Sequence, residues 1–132
     1  DVGRILVISC FLRLGRLARS SPSSVQGRPA FTKLFGKVRA LLLQGHLEPR
    51  GLSNVMLALA YLKGEHAETR TMLRTAAKSL ATRIDEANAQ DLANSAWAMA
   101  KLGEQDSSVL REIARACSVK AAGFRPQELS NV

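Results

Sequence analysis

The chain has 132 residues and a formal net charge of +8, with 46% hydrophobic and 5% aromatic residues. That length suits one sizeable core, and a composition led by Ala and Leu with few aromatics fits an all-helical array, without strand signals. No Gly-rich phosphate loop, nucleophile elbow or paired-carboxylate constellation occurs, so catalysis is not expected.

Residues 2–17, VGRILVISCFLRLGRL, contain the apolar run ILVISCFL. It is too short for a bilayer span, which needs about 20 residues. It could pass for the core of a targeting signal, but we read it as a worn first helix of the earliest repeat, because Leu14-Gly15 resembles the later Leu102-Gly103 ending. Residues 18–29, ARSSPSSVQGRP, read as a loop by their Ser, Pro and Gly content. The next helix is predicted from about Ala30 to Gln44, with Leu34, Val38, Leu41 and Leu42 as its core stripe.

Pro49 to Gly64, PRGLSNVMLALAYLKG, and Asp91 to Gly103, DLANSAWAMAKLG, are two copies of one helical pattern. Leu52 matches Leu92, Asn54 matches Asn94, and Leu62-Lys63-Gly64 lies close to Lys101-Leu102-Gly103. In the second copy Leu92, Ala96, Met99 and Ala100 mark one helical face, and Gly103 supplies a left-handed stop. PQELSNV at the end begins the pattern again, with Leu129 and Asn131 in the key places. Pro49 and Pro126 each precede the key leucine by three residues, a first-turn position where a missing N–H costs little.

Each copy is followed by a second helix. Leu73, Ala76, Ala77, Leu80, Ala81 and Ile84 form one stripe; Leu110, Ile113, Ala114, Cys117 and Ala121 form another, 37 residues later. Leu73 to Leu92 and Leu110 to Leu129 are both steps of 19. The period of about 38 residues predicts an α-solenoid of stacked antiparallel helix pairs, about three pairs plus one further helix. We divide a single domain, 1–132, into a basic, degenerate first repeat (1–47), repeats at 48–84 and 85–124, and the start of another at 125–132. The chain lacks an initiating Met and ends inside a repeat helix, so we expect part of a longer protein.

Charge is unevenly placed. Residues 2–47 carry Arg4, Arg13, Arg16, Arg19, Arg28, Lys33, Lys37 and Arg39 and no acid, while the remainder balances eleven basic against eleven acidic residues. A one-signed patch of this size suits a polyanion, most simply nucleic acid; its alternative is a solubilising or targeting-like segment. On the second helices Arg70, Arg74 and Lys78 share a face, and Arg111 and Arg115 repeat the pair, so stacking would set two rows of positive charge side by side. Contacts of this kind orient a phosphate backbone without reading sequence.

The repeated Asn54, Asn94 and Asn131 have two readings. The amide bonds a neighbouring repeat or the preceding turn, or it faces the concave surface and reads a base edge. Trp97, matching Leu57, is read as inter-repeat packing, with a stacking platform as the alternative. Cys10 and Cys117 lie on apolar stripes without CxxC pairing and are expected to be reduced and buried. His46 and His66 fall in turns without ligand partners, so no metal or other cofactor is expected. Glu48, Glu65, Glu68, Asp85, Glu86 and Asp91 gather near turns and helix starts, where negative charge suits the dipole.

The pattern P-x-x-L-S-N followed by an alanine-rich helix ending in K-L-G resembles the octotricopeptide-type helical repeats. It is equally similar to the repeats found ahead of RAP domains in organellar RNA-binding proteins. The resemblance is clearest over Leu47 to Val132. It implies an α-solenoid acting on RNA, rRNA or mRNA, in mitochondria or alternatively plastids, among neighbouring protein subunits and without a membrane or small-molecule substrate. The expectation is a non-catalytic component of an organellar ribonucleoprotein such as the mitochondrial ribosome. Few repeats and strong basicity favour docking onto structured RNA. The alternative is a protein–protein scaffold that makes no direct RNA contact.

Overall fold

The computed structural model describes residues 2–19, 28–63, 68–104 and 107–122. Those residues form six α-helices and one short 3-10 turn, with no strand among them. The helices are α1 (Val2–Ala18), α2 (Pro29–Gln44), α3 (Pro49–Tyr61), α4 (Thr69–Thr82), α5 (Ala89–Lys101) and α6 (Ser108–Ala122), with the 3-10 turn at Ile84–Glu86. Most of the 18–29 loop, His66, Leu129 and Asn131 lie outside the described residues.

The helix boundaries follow local chemistry. Pro29 and Pro49 open α2 and α3, where the absent N–H has no helical partner to lose. Asn88 opens α5 through a capping box: the Asp91 N–H donates to Asn88 Oδ1 at 2.7 Å, and the Asn88 N–H donates to Asp91 Oδ2 at 3.4 Å. Gly103, at φ +85°, closes α5 as predicted. Its N–H donates to the Ala100 carbonyl at 3.1 Å, and the Glu104 N–H reaches back to Met99 at 2.9 Å, a Schellman ending. At the end of α3 the left-handed position is taken by Lys63, φ +61°, one residue ahead of Gly64. Leu62-Lys63 therefore matches Leu102-Gly103, and the register read from the sequence was off by one there.

The chain is an all-α, solenoid-like array of packed helix pairs. The first helices form one layer, with α3 packed between α1 and α5, and the second helices α2, α4 and α6 form the other. Gly51 meets Ile8 and Gly15 meets Ala58, so α1 and α3 run parallel. Arg83, just past α4, reaches Leu47 before α3, and Lys120 near the end of α6 reaches Ile84 to Ala87 before α5; each second helix thus runs back against its own first helix.

Packing of the first layer depends on small residues. Gly15 does not end α1, as the Leu-Gly dipeptide suggested. It sits buried inside the helix, where an added Cβ would lie 3.1 Å from the Ala58 carbonyl oxygen and 3.2 Å from its Cα. Leu52 and Leu92 occupy equivalent, fully buried places. Ser53, also fully buried, donates to the Asp91 carbonyl at 3.0 Å and so ties α3 to α5, while Ser95 donates to the same oxygen at 2.8 Å.

Several stripes differ from expectation. In α5 the buried face runs through Leu92, Ser95, Ala98 and Met99 rather than Ala96 and Ala100, because α3 approaches from the Ser95 side. In α2 the buried residues are Phe31, Phe35, Val38 and Leu42, with Leu34 and Leu41 at the margin. Phe31 and Phe35 cluster with Phe11 of α1, centroids 5.7–6.4 Å apart, and the larger aromatic surfaces claim the centre of the first pair. The α4 stripe is buried from Leu73 to Leu80, but in α6 Ile113 alone is fully covered, because no described residue packs on its far side. Cys10 is exposed and Cys117 is half-buried, correcting the reading of both as core. Cys10 falls off the α1 stripe of Ile8, Phe11, Leu12, Gly15 and Ala18.

Candidate nucleic-acid interface

The cations divide into those neutralised within the fold and those left to solvent. On α1, Arg13 and Arg16 are exposed, and Arg19 follows just past the helix end. On α2, Lys33 and Lys37 are exposed one turn apart. None of Arg13, Arg16, Lys33 and Lys37 has a carboxylate within ion-pair distance among the described residues. Residues 2–47 hold no acid of their own, and Glu68, just before α4, receives Arg39 Nη1 at 2.6 and 2.7 Å. Arg28 is exposed at the start of α2.

The row on the second helices is thinner than the sequence suggested. Glu104, just past the end of α5, takes Arg70 Nη1 and Arg74 Nε, each at 3.0 Å. Two of the three cations on that α4 face therefore share one carboxylate, which offsets one of their two charges, and Lys78 is exposed and without an ion-pair partner among the described residues. On α6, Arg111 and Arg115 are exposed. A helical wheel places Arg70, Arg74 and Lys78 together correctly; it carries no information about a carboxylate from the next repeat.

Other basic side chains are structural. Arg4 Nη1 donates to the His46 carbonyl at 3.1 Å and Arg83 Nη1 to the Leu47 carbonyl at 2.6 Å, so the linker between α2 and α3 is held from both sides. Arg83 also donates to both Glu86 carboxylate oxygens, at 2.9 and 3.1 Å. Those hydrogen bonds hold the Glu86 carboxyl below its usual range and raise the Arg83 guanidinium further. In the next repeat Lys120 Nζ donates to the carbonyls of Ile84 (3.1 Å), Asp85 (3.0 Å) and Ala87, matching its three N–H groups to three linker oxygens. Arg83 and Lys120 are 37 residues apart, the period of the second helices. That repeated cation was visible in the sequence, and only its role needed coordinates.

Asn94 accepts from Gln90 Nε2, one turn earlier, at 3.1 Å. Asn54 lines an open groove of about 630 Å3 with Arg4, Ile5, Ile8, His46 and Arg50. The inter-repeat hydrogen bond expected of the asparagine column is made by Ser53 instead. Trp97 is 46% exposed, and its ring centroid lies 5.7 Å from that of Tyr61, the last residue of α3. The Arg19 guanidinium lies over Tyr61, 5.7 Å from its centroid. A shallow depression of about 280 Å3 nearby is lined by Lys63, Thr69, Arg70 and Lys101. Thr69 Oγ1 is buried without a hydrogen-bond partner.

Among the described residues no three His, Cys, Asp or Glu side chains gather in metal-binding geometry. None of the described helices is long and apolar enough to cross a membrane. No protein-family model, curated protein or solved structure matches the chain.

Proposed function

We propose that this chain is an RNA-binding helical-repeat domain that grips phosphates through the outer surfaces of its first helix pair. One observation carries the reading: Arg13, Arg16, Lys33 and Lys37 stand exposed and unbalanced on α1 and α2, in a stretch that contains no acid. Bringing a phosphate backbone against them releases counterions, the main source of sequence-independent affinity. The resemblance of the P-x-x-L-S-N helix to organellar RNA-binding repeats supplies the setting, a mitochondrial or plastid ribonucleoprotein such as the mitochondrial ribosome. The role is one of docking without catalysis.

The test is affinity for a structured organellar rRNA fragment across a salt series. The logarithm of the association constant is expected to fall linearly with the logarithm of salt concentration. Replacing Arg13, Arg16, Lys33 and Lys37 by Ala together should flatten that slope and weaken all sequences alike. A flat wild-type dependence, or no binding at low salt, overturns the proposal.

A scaffold reading has one observation of its own. Val2, Ile5 and Leu6 are 59–71% exposed on α1, beside the groove next to Ile8 and Leu47. An apolar strip of this kind suits a protein neighbour. Crosslinking of the native particle separates the two: RNA at Lys33 and Lys37 supports the proposal, and protein alone at those positions supports the scaffold.

A further inference from the structure

Three successive first helices bring Arg19, Tyr61 and Trp97 together on one surface, and the third of these is unusually wet for its type. Trp97 keeps 46% of its surface exposed, although Leu57, its counterpart one repeat earlier, is 6% exposed. Tyr61 braces the indole at 5.7 Å with the planes inclined at 56° and is itself covered by the Arg19 guanidinium. One edge of the indole is thereby fixed while much of its area faces water.

The surroundings are cationic. Lys101 lies one helical turn beyond Trp97, Lys63 lies two residues beyond Tyr61, and both line the same depression. Helices α1 and α3 contain no acid, and the sole acid of α5, Asp91, is locked in the capping box at the opposite end. Of the described carboxylates at this end, Glu104 is occupied by Arg70 and Arg74, and Glu68 by Arg39. An exposed indole in such a field suits a flat, electron-rich ring system tethered to negative charge.

Resting on the RNA-binding reading above, we propose that Trp97, braced by Tyr61, is a stacking platform for an unpaired base of RNA, with Arg19, Lys63 and Lys101 seating the flanking phosphates. Bases present their faces only where they are unpaired, so the site selects loops, bulges and ends of a structured RNA. It is sequence-tolerant, since every base has a face to stack, and it differs from the phosphate grip of α1 and α2.

Trp97 is the sole tryptophan of the chain, so its emission reports this surface alone. The 132-residue chain is titrated with a fluorescein-labelled oligouridylate, with an abasic ribose-phosphate oligomer of equal length and with a duplex of equal charge. Label anisotropy measures binding; indole emission, recorded with unlabelled copies, measures stacking. The oligouridylate should quench Trp97 saturably with the midpoint seen by anisotropy, while the abasic oligomer and the duplex bind without quenching. Trp97→Leu, which installs the residue found at position 57, should lose about tenfold in oligouridylate affinity and little for the abasic oligomer. Salt-dependent binding without quenching, or Trp97→Leu binding as tightly as wild type, overturns the platform and leaves the phosphate grip standing. Silence in both signals overturns both.

Discussion

Gly15 and Gly36 both lie inside helices, and their surroundings assign them opposite roles. Beside Gly15 the neighbours are backbone atoms of Ala58, which cannot swing aside, whereas an added Cβ at Gly36 meets nothing within 4 Å. Gly15→Val should therefore destabilise the fold by about 1–3 kcal/mol through overpacking. Gly36→Ala should stabilise it by about 0.5–1 kcal/mol by removing a flexible residue from a helix interior. Chemical denaturation of the two variants checks both signs, and equal effects would refute the close approach of α1 and α3. Lys63 offers a third case: a non-glycine residue holding φ +61° where the next repeat uses Gly103. Lys63→Gly should raise the melting temperature, because the left-handed conformation costs an L-residue about 1–2 kcal/mol. Gly15 and Gly36 were plain in the sequence, but which of the two touched a neighbour was not, because that depends on how closely two helices separated by a loop and another helix approach.

At the scale of elements, the connections between repeats are held by cations at the C-terminal ends of the second helices, Arg83 just past α4 and Lys120 in the last turn of α6. Lys120 satisfies three linker carbonyls at once, and Lys120→Met keeps the stem while removing every donor. A loss of about 1–3 kcal/mol is expected, since partly buried carbonyls are left unmatched; an unchanged melting temperature would show that water replaces the ammonium. The Arg83–Glu86 pair beside the preceding linker carries a pH signature. The folded-state pKa of Glu86 is lowered, so its contribution is complete above the unfolded carboxyl value of about 4.3 and is lost as pH falls through the folded value. Glu86→Gln should accordingly melt below wild type at neutral pH and match it only once the pH has fallen below the lowered folded value. Arg83 stays charged throughout and adds no titration of its own in that range.

For the whole molecule, net charge and usable charge are different quantities. The total of +8 locates the excess in residues 2–47, but Arg39, Arg70 and Arg74 are bound to Glu68 and Glu104, and Arg4 is bound to a linker carbonyl. Removal of Arg70 and Arg74 together should leave the salt dependence of RNA affinity nearly unchanged. Removal of Arg13 and Arg16 should lower its slope by about one unit or more, each phosphate contact contributing roughly 0.7–0.9. Equal slopes for the two double variants would mean that RNA displaces Glu104 from its partners.

Helix content, the pairing of helices, and the burial of Leu52, Leu73 and Leu92 were legible in the chain because they follow from periodicity, which is a property of neighbours along the backbone. So was the stop at Gly103, which rests on the conformational freedom of one residue. The exposure of Cys10 and Trp97, the central place of Phe11, Phe31 and Phe35, the tie at Ser53, and the pairing of Arg70 and Arg74 with Glu104 were decided by tertiary structure. Each depends on which face of a helix meets a neighbour one repeat away, and a shift of one residue turns that face by about 100°. A repeat tells which residues are equivalent; only packing tells which of the equivalents remain in contact with water.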